Sequence, residues 1–366
     1  MFQRPRDQKL SDRQSCALSI IVVNYKSWPD VGTLAESLGK SPGFASGEAE
    51  LVIVDNASME SPPAELRRGW AGVRLVLSEE NGGFSAGVNI GWRVSSGRWL
   101  LLLNPDVVAG PELVDQVLER IQARESAGVQ PSGITGFALQ NPDGTPQASV
   151  GAEIGLLRTL IEPFFARARR KYLNVDRVQA GPVPWVTGAC MLVDRQILDS
   201  VGGMDEDFFL YYEEVALCRS TRRLGRRVEF DPTIGVVHLR PLQNRPVSPA
   251  IRVVTRHSRL VFFQKHQPAW QFQSMVWLTR LEGTIRAAWA ALRGRCEECR
   301  AWGQIRAIAK DMGSGTQIDG RMVRDIAFSA SGFASAVTNS PHFESWVRTV
   351  AKDKDTEHDA ARMPHG

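Results

Sequence analysis

Polar and acidic side chains stand at the ends of several apolar runs in this sequence. Asn24 and Tyr25 follow LSIIVV, Asp55 follows LVIV, Asp106 comes soon after LLLL, and a later apolar run ends on His238. Short apolar runs of this kind are typical of buried strands in a parallel sheet. Ligands of open α/β sheets bind at the carboxyl ends of such strands. The pattern therefore predicts a ligand site along one sheet edge.

The first candidate for chemistry at that edge is the stretch WLLLLNPDVV, in which Asn104, Pro105 and Asp106 interrupt the apolar run. A carboxylate oxygen suits Mg²⁺ or Mn²⁺, and such a cation neutralises charge that grows on a departing diphosphate. His238 would be a second metal ligand or a phosphate contact. The plainer alternatives are a turn for Asn-Pro-Asp and a structural role for a lone histidine.

Asp55 and the turn Asn81-Gly82-Gly83 are candidates for the rest of a nucleotide site. An acidic side chain at this edge accepts hydrogen bonds from a ribose or a base. The turn precedes a helical pattern, so it would offer free backbone amides, and its glycines would allow anionic or sugar groups to approach closely. A cap for the following segment is the alternative in both places.

The adjacent carboxylates Glu213 and Glu214 lie among aromatic and apolar residues. Two carboxylates beside buried surface predict that one has a raised pKa and can serve as a general base. The alternative is a helix start enriched in acid, matched to the helix dipole by the basic stretch from Arg219 to Arg227.

Strand-like and helix-like patterns alternate along the first part of the chain, which predicts a parallel sheet with right-handed crossovers. Strand patterns occur near 18–23, 51–54, 73–77, 99–103, 133–139, 185–193, 226–230 and 234–238. Residues 141–182 are less regular and predict a loop-rich insertion. Between 251 and 300, nine Lys or Arg and three Glu are interleaved with tryptophans at helical spacing. This region predicts either an amphipathic membrane-surface segment or helices packed on the first domain with a solvated basic face.

The composition is that of a soluble globular chain, with 366 residues, 43% hydrophobic and 23% charged. A net charge of +4 does not point to nucleic acid, and five cysteines favour a reducing compartment. No apolar run reaches the ~18 residues of a membrane span, and the polar start lacks the core of a signal peptide. We expect a cytoplasmic protein that does not bind nucleic acid and whose membrane contact, if any, is peripheral.

The sequence excludes three common nucleotide-binding classes. The turn after the first strand reads Asn24-Tyr25-Lys26-Ser27, without the G-x-G-x-x-G of a nicotinamide-dependent dehydrogenase. The P-loop pattern is absent, as is the Gly-rich, Arg-containing loop of a sugar nucleotidyltransferase.

The segments LSIIVVNYKS, LVIVDNAS, SEENGGFSAGVNIGW, LLLLNPDV, VTGACMLVDRQILDSVGGMDEDFFLYYEEVALCRSTRRLG and VVHL occur in this order. Together, over about residues 17–265, the sequence resembles family 2 glycosyltransferases of the GT-A fold, and among them the bacterial rhamnosyltransferase-like branch. The resemblance implies an α/β fold, with a Rossmann-like, mostly parallel sheet flanked by helices and a C-terminal helical region. The predicted divisions are a flexible N-terminus 1–16, a GT-A domain 17–250, a basic helical region 251–345 and a disordered tail 346–366.

Carried onto this sequence, the resemblance implies a role for each candidate residue. Nucleotide-sugar contacts would come from Asn24, Tyr25, Asp55, Asn81, Gly82, Gly83 and Asn104. The acceptor would be bordered by Trp185, Thr187, Gly188 and Glu213. Asp106 and His238 would hold Mg²⁺ or Mn²⁺, and Glu214 would be the catalytic base.

The implied reaction is inverting, metal-assisted transfer of a sugar from a nucleoside-diphosphate sugar to a hydroxyl of a glycan or lipid-linked acceptor in cell-envelope polysaccharide synthesis. The branch suggests dTDP-rhamnose, with a UDP-sugar as the other donor, and work at the inner face of the cell membrane. Asn104 stands where many members carry a first Asp, Glu214 where Asp is common, and Ala216 where an Asp is usual. The last change leaves open a catalytically silent GT-A domain that acts as a binding or scaffold module.

Overall fold

A computed structural model describes residues 16–69, 72–126, 132–161, 171–173, 178–241 and 246–329. The predictions for residues 1–15 of the flexible N-terminus and for the tail 346–366 lie outside these residues. The part of the basic region from 330 onward lies outside them as well. The boundary predicted at residue 250 stays a prediction.

One mixed sheet forms the centre of the fold, and its first half is parallel. The strands are β1 Leu18–Asn24, β2 Ala49–Asp55, β3 Val73–Leu77, β4 Trp99–Leu103, β5 Val107–Val108, β6 Ile134–Gln140, β7 Pro146–Gln147, β8 Val150–Gly151, β9 Gly181–Pro182, β10 Trp185–Val186, β11 Cys190–Asp194 and β12 Val228–His238. The order across the sheet is β3-β2-β1-β4-β11-β6-β12-β5, while β7 pairs with β6, β9 pairs with β12, and β8 pairs with β10 separately.

Helices lie between the strands, and four follow the sheet in sequence. They are α1 Trp28–Leu38, α2 Pro42–Ala45, α3 Ala64–Arg68, α4 Gly83–Val94, α5 Glu112–Ser126, α6 Leu156–Ile161, α7 Arg195–Val201, α8 Glu213–Arg223, α9 Pro249–His266, α10 Ala269–Leu292, α11 Cys296–Gly313 and α12 Gly320–Phe328. The helical periodicity beyond residue 250 is therefore confirmed. Cys296 and Cys299 lie on the first turn of α11.

The sheet core follows directly from the apolar runs of the sequence. All residues of β1 and of β4 are buried, as expected for central strands covered on both faces. Asn24 and Asp55 are the last residues of paired parallel strands and stand opposite each other in the register. The polar residues at the strand ends therefore share one edge, as predicted.

Two details of the sheet differ from the sequence prediction. The patterns at 226–230 and 234–238 form one strand, β12, whose pairing with β6 shifts between Asp231 and Gly235. Pro232 lies in this irregular stretch, where a missing amide donor is tolerated. The pattern at 185–193 divides into β10 and β11, and β11 runs antiparallel to both neighbours, β4 and β6.

Helix α4 packs on the sheet through small residues. Side chains added at Gly87 and Gly91 would come within 2.5 Å of Val23 and 2.6 Å of Ile21. Val88 is fully buried, whereas Phe84 and Trp92 are only partly covered. Close approach of the helix to β1 brings its N-terminal turn to the sheet edge where the polar residues stand.

Candidate active site

The ends of β1 and β2 are joined by a buried hydrogen-bond network. Asn24 donates its side-chain amide to Asp55 Oδ1 at 2.6 Å and to Ser58 Oγ at 3.2 Å. Ser58 donates its backbone amide to Asp55 Oδ2 at 3.1 Å. Asn24 is fully buried and Asp55 is 5% exposed. Asn24 thus orients the Asp55 carboxylate from within the protein, and a direct contact of Asn24 with a nucleoside stays a prediction.

Asn56, which the sequence analysis did not single out, holds the Asn81-Gly82-Gly83 turn. Its amide donates to Asn81 Oδ1 and to the Gly83 carbonyl, both at 2.9 Å. Gly83 has φ of 88°, and a Cβ there would lie 2.1 Å from the Phe209 carbonyl oxygen. Only glycine satisfies both conditions. The turn is therefore built around a close contact with the segment that precedes Glu213.

Tyr25 lies beside the same turn. Burial raises the pKa of the Tyr25 phenol, although a hydrogen bond with Asn81 opposes that shift. The Lys26 ammonium lies 5.6 Å from the centre of the Tyr25 ring. Tyr25, Asp55 and the 81–83 turn are thus brought to one place, as predicted, with a cation alongside.

The Asp106 carboxylate faces the imidazole of His238 at the other side of this edge. The two residues are held by pairing of β5 with β12, in which Val107 stands opposite His238, and the Asp106 carbonyl accepts from Leu239 at 2.9 Å. The distance from Asp106 Oδ1 to His238 Nε2 is 3.4 Å. Asn104 Nδ2 lies 3.5 Å from the same ring nitrogen.

Gln147 determines which nitrogen of His238 carries the proton. The Gln147 amide donates to Asn141 Oδ1 at 3.0 Å and to the His238 carbonyl at 3.2 Å, so its oxygen is left to accept from His238 Nδ1 at 2.7 Å. With Nδ1 donating to Gln147, Nε2 is the ring nitrogen that faces Asp106, and a metal ion shared by the two side chains would take the place of the proton between them. A partner that fixes the far ring nitrogen is common for a histidine that binds a metal.

Arg240 is a further charged group at this carboxylate. Its guanidinium lies 3.8 Å from Asp106 Oδ2 and forms a close ion pair with Asp30. Burial acts to raise the pKa of Asp106, but the hydrogen bond and charge of His238 and the charge of Arg240 outweigh it and hold this pKa below its usual value. Asp106 is therefore ionised at neutral pH, the form a cation ligand requires.

Glu213 and Glu214 open helix α8 after a strained turn. Tyr211 and Tyr212 have φ of 70° and 72°, a backbone conformation that is costly for bulky residues and common at functional sites. Both carboxylates are buried, and within the described part of the chain Oε2 of each has no hydrogen-bond partner. Burial, reinforced by the charge of Glu214, raises the pKa of Glu213 well above its usual value.

Lys171 places a cation beside this pair of carboxylates. Its ammonium lies 3.8 Å from Glu214 Oε1 and 5.3 to 5.5 Å from the ring centres of Tyr172, Trp185 and Tyr212. Burial acts to lower the pKa of Lys171, but the neighbouring tyrosines and glutamates outweigh it and raise this pKa. Lys171 is therefore a permanent charge in an aromatic enclosure.

The residues predicted for the acceptor site lie between Glu214 and the candidate metal ligands. Trp185 is buried, lies against Gly151 and donates to the Ala152 carbonyl at 2.8 Å. A Cβ on Gly188 would lie 3.8 Å from the Cβ of Glu214. The next residue, Ala189, accepts from the Asn104 amide at 3.0 Å. Residues 187–189 therefore run between Glu214 and the Asn104-Pro105-Asp106 turn.

A C-terminal contact also reaches the site, and sequence analysis did not find it. Arg324 of α12 donates to the Asn81 carbonyl at 2.7 Å and lies 3.7 Å from Glu80. Like Lys171 and Arg240, Arg324 belongs to no motif, and one sequence offers no signal that separates it from surface arginines. Asn56 had a signal, since it directly follows Asp55.

Within the described ranges, no group of three or more His, Cys, Asp or Glu could hold a metal ion. Asp106 and His238 form a pair, so a cation there would need further ligands from water or substrate. Among the same residues, no helix is both long enough and apolar enough to cross a membrane.

Comparisons with known proteins give the site a context. The profile described as "Glycosyl transferase family 2" matches residues 19–202. The hexosyltransferase Agl10 of low-salt glycan biosynthesis in Haloferax volcanii is 30% identical, over 62% of this chain and 68% of that protein. The N-acetylglucosaminyl-diphospho-decaprenol L-rhamnosyltransferase of Mycobacterium tuberculosis is 25% identical, over 75% of this chain and 90% of that one.

A solved structure, GalNAc-T7 with UDP, GalNAc and Mn²⁺, matches with a TM-score of 0.51 at 14% identity, over 84% of this chain and 59% of that one. At this identity the likeness shows the fold alone, and it confirms the predicted GT-A architecture. Since the family profile covers half of the sequence, the chain belongs to glycosyl transferase family 2.

Proposed function

We propose that this protein is an inverting glycosyltransferase that moves a sugar from a nucleoside-diphosphate sugar to a hydroxyl of a glycan or lipid-linked acceptor. The observation that carries the proposal is Glu214, a buried carboxylate with an unpartnered oxygen. It opens α8 directly after the segment whose Phe209 carbonyl accepts from Phe84 at 2.9 Å. A proton acceptor next to the 81–83 turn is what single-displacement transfer requires.

The reaction is one displacement in which the charges balance. The acceptor hydroxyl oxygen forms a bond to the anomeric carbon while the bond from that carbon to the diphosphate oxygen breaks. Glu214 takes the hydroxyl proton, and the electron pair of the broken bond leaves with the nucleoside diphosphate. Because attack comes from the face opposite the leaving group, the anomeric centre inverts. Asp55 and Tyr25 would hold the nucleoside, and the 81–83 turn would face the diphosphate and sugar.

Asp106 and His238 fit a divalent cation, Mg²⁺ or Mn²⁺. The fit rests on the ionised carboxylate of Asp106 and on His238 Nε2, which faces it at 3.4 Å while Gln147 holds the other ring nitrogen. When bound, such a cation neutralises charge on the leaving diphosphate. Arg240, on the same carboxylate, adds a fixed positive charge at that end of the site. Asn104 would border the donor beside this pair.

Lys171 is proposed as a positioning residue for Glu214. The ammonium lies 3.8 Å from Glu214 Oε1 and holds that carboxylate in place, and the three surrounding rings restrict where the ammonium can lie. The raised pKa of Glu213 favours a neutral neighbour over a second negative charge. Glu213, Trp185, Thr187 and Gly188 would then form the border of the acceptor site.

The donor proposed first is dTDP-rhamnose, with a UDP-sugar as the alternative. Support comes from the resemblance to the rhamnosyltransferase-like branch and from the Mycobacterium tuberculosis relative, whose name joins L-rhamnose to a decaprenol-linked acceptor. A lipid-linked acceptor places the reaction at a membrane surface, and we propose the cytoplasmic face, in synthesis of cell-envelope polysaccharide.

The test combines binding and transfer on purified full-length protein. A panel of nucleotide sugars with Mn²⁺ or with chelator is screened for thermal stabilisation, since a ligand of the folded state raises the melting temperature. Glu214→Gln should keep donor stabilisation and lose transfer by at least ~100-fold. Asp106→Ala should lose the Mn²⁺-dependent part of the stabilisation. If the wild-type protein binds a donor but transfers sugar to no acceptor, the result would instead favour a catalytically silent scaffold module, the alternative suggested by Ala216.

A further inference from the structure

The longest helix of the described chain, α10, leaves one apolar face in solvent. Among the described residues, nine of the fourteen exposed large apolar side chains belong to α6 and α10. The six on α10 are Trp270, Trp277, Leu281, Ile285, Trp289 and Leu292. At about 3.6 residues per turn they fall within an arc of roughly 120°, along about 33 Å of helix. We call these six residues the α10 stripe.

The opposite side of α10 is packed, with Phe272, Met275 and Thr279 buried. The only carboxylate of α10, Glu282, lies beside the stripe, about 20° from Trp289 around the helix. Glu282 is neutralised by ion pairs, among them Arg256 at 2.8 Å. Against the desolvation caused by burial, these arginines lower the pKa of Glu282 to about 2. The stripe itself therefore contains no negative charge.

Positive charge borders the stripe instead. Arg280 is exposed, and the Arg293 guanidinium lies 3.8 Å from the centre of the Trp289 ring. An arginine over a tryptophan at the rim of an apolar face is the arrangement expected where hydrocarbon meets anionic headgroups. Three tryptophans on one face fit the same boundary, since their rings are enriched there.

One end of the stripe borders a groove between α6 and α10. Trp270 lines a cavity of about 670 Å³ together with Leu157 and Leu160 of α6, and Arg219 of α8 lies on its wall. Arg219 is five residues from Glu214 on the same helix. Arg219 forms an ion pair at 2.7 Å with Glu153, which also lines the cavity, so the apolar surface of Trp270 and α6 ends at a charged wall on α8.

We propose that the α10 stripe lies in the interface of an anionic lipid bilayer and presents the groove beside Trp270 to the hydrocarbon chain of a lipid-linked acceptor. This inference rests on the proposed function for its substrate. Helix α10 is too polar to cross the bilayer, so it would lie parallel to the surface. Burial of large apolar side chains drives the binding, and the bordering arginines select anionic lipid.

The experiment measures cosedimentation of the full-length protein with phosphatidylcholine vesicles, with and without phosphatidylglycerol, in the absence of donor. The variant is Trp277→Gln/Ile285→Gln/Leu292→Gln. The matched control is Leu224→Gln, since Leu224 is an exposed leucine directly after α8 and outside the stripe. We expect the wild-type protein to bind phosphatidylglycerol vesicles, the triple variant to bind at least ~100-fold more weakly, and the control to bind as wild type.

Activity distinguishes this inference from the proposed function. With a water-soluble acceptor analogue, the triple variant should keep wild-type kcat/KM, and with a lipid-linked acceptor in vesicles it should lose most transfer. If the wild-type protein transfers sugar but does not bind vesicles, the inference is overturned and the proposed function stands. A dimer in sedimentation equilibrium that the triple variant dissociates would also overturn it, since a second copy would then cover the stripe. Vesicle binding without any transfer would refute the function instead.

Discussion

Replacing Gly83 by alanine tests whether the close contact between the two halves of the site is essential. An alanine Cβ at this position would lie 2.1 Å from the Phe209 carbonyl oxygen, whereas real Cβ atoms essentially never come within 3.0 Å of a neighbour. The turn or the Phe209 segment must therefore move by about 0.9 Å, which costs ~1–3 kcal/mol in a packed region. The φ of 88° adds ~1–2 kcal/mol for a residue with a side chain.

The matched control is Gly144→Ala. Gly144 also has a positive φ, 79°, but nothing lies within 4 Å of the added Cβ. In urea unfolding we expect Gly144→Ala to lose only the conformational contribution, ~1–2 kcal/mol, and Gly83→Ala to lose ~2–5 kcal/mol. Gly83→Ala should also raise the donor KM at least ~10-fold, because the displaced turn loses its bonds to Asn56. Equal destabilisation by the two substitutions would refute the proposed steric contact.

Three further changes test other groups. Glu213→Gln should stabilise the protein at pH 8. Because the folded-state pKa of Glu213 is raised, the unfolded chain loses this proton more readily than the folded one, and stability falls as pH rises through the folded-state pKa. The loss is about 1.4 kcal/mol for each unit by which the folded-state pKa exceeds the unfolded-state pKa, and Gln, which cannot ionise, avoids it. Burial lowers the pKa of His257 to about 4, so between pH 7.5 and 5 its imidazole gains a proton mainly in the unfolded state. The free energy of unfolding should therefore fall by ~2 kcal/mol over this range. In urea unfolding, His257→Gln should reduce this pH dependence. Arg324→Gln should raise the donor KM several-fold, whereas Arg321→Gln, which removes a more exposed ion pair with Glu80, should change it less than twofold.

The edge that carries the candidate site could be predicted because its signals are local. An apolar run that ends on Asn24 or Asp55 shows both the strand and its end, and parallel pairing brings those ends together. The antiparallel strand β11 could not be recognised in this way, because a strand buried on both faces has the same apolar composition in either direction. The interruption of the apolar pattern at Pro232 predicts two strands, whereas the structure has one strand, β12, with a shift in its pairing with β6 at this point.

The charged groups around the candidate site could not be predicted, because their positions depend on packing between distant segments. Lys171 reaches Glu214 only through the pairing of Tyr172 with Gly151, and the region that contains it lacks periodicity. Arg240 follows a recognised strand but has no neighbour in sequence that would indicate its ion pair with Asp30. Long-range ion pairs leave no pattern in a single sequence.

The turn at 81–83, proposed to face the donor, and the proposed base Glu214 are linked through one residue, Phe209. The Phe209 carbonyl accepts from the Phe84 amide and touches Gly83 on the donor side. Two residues later the chain enters the strained turn at Tyr211 and Tyr212, which aims the start of α8. A displacement of the 81–83 turn therefore reaches Glu214 through a short, stiff piece of backbone. We expect a donor that contacts this turn to affect the position of Glu214 as well, so that donor binding and proton acceptance are coupled.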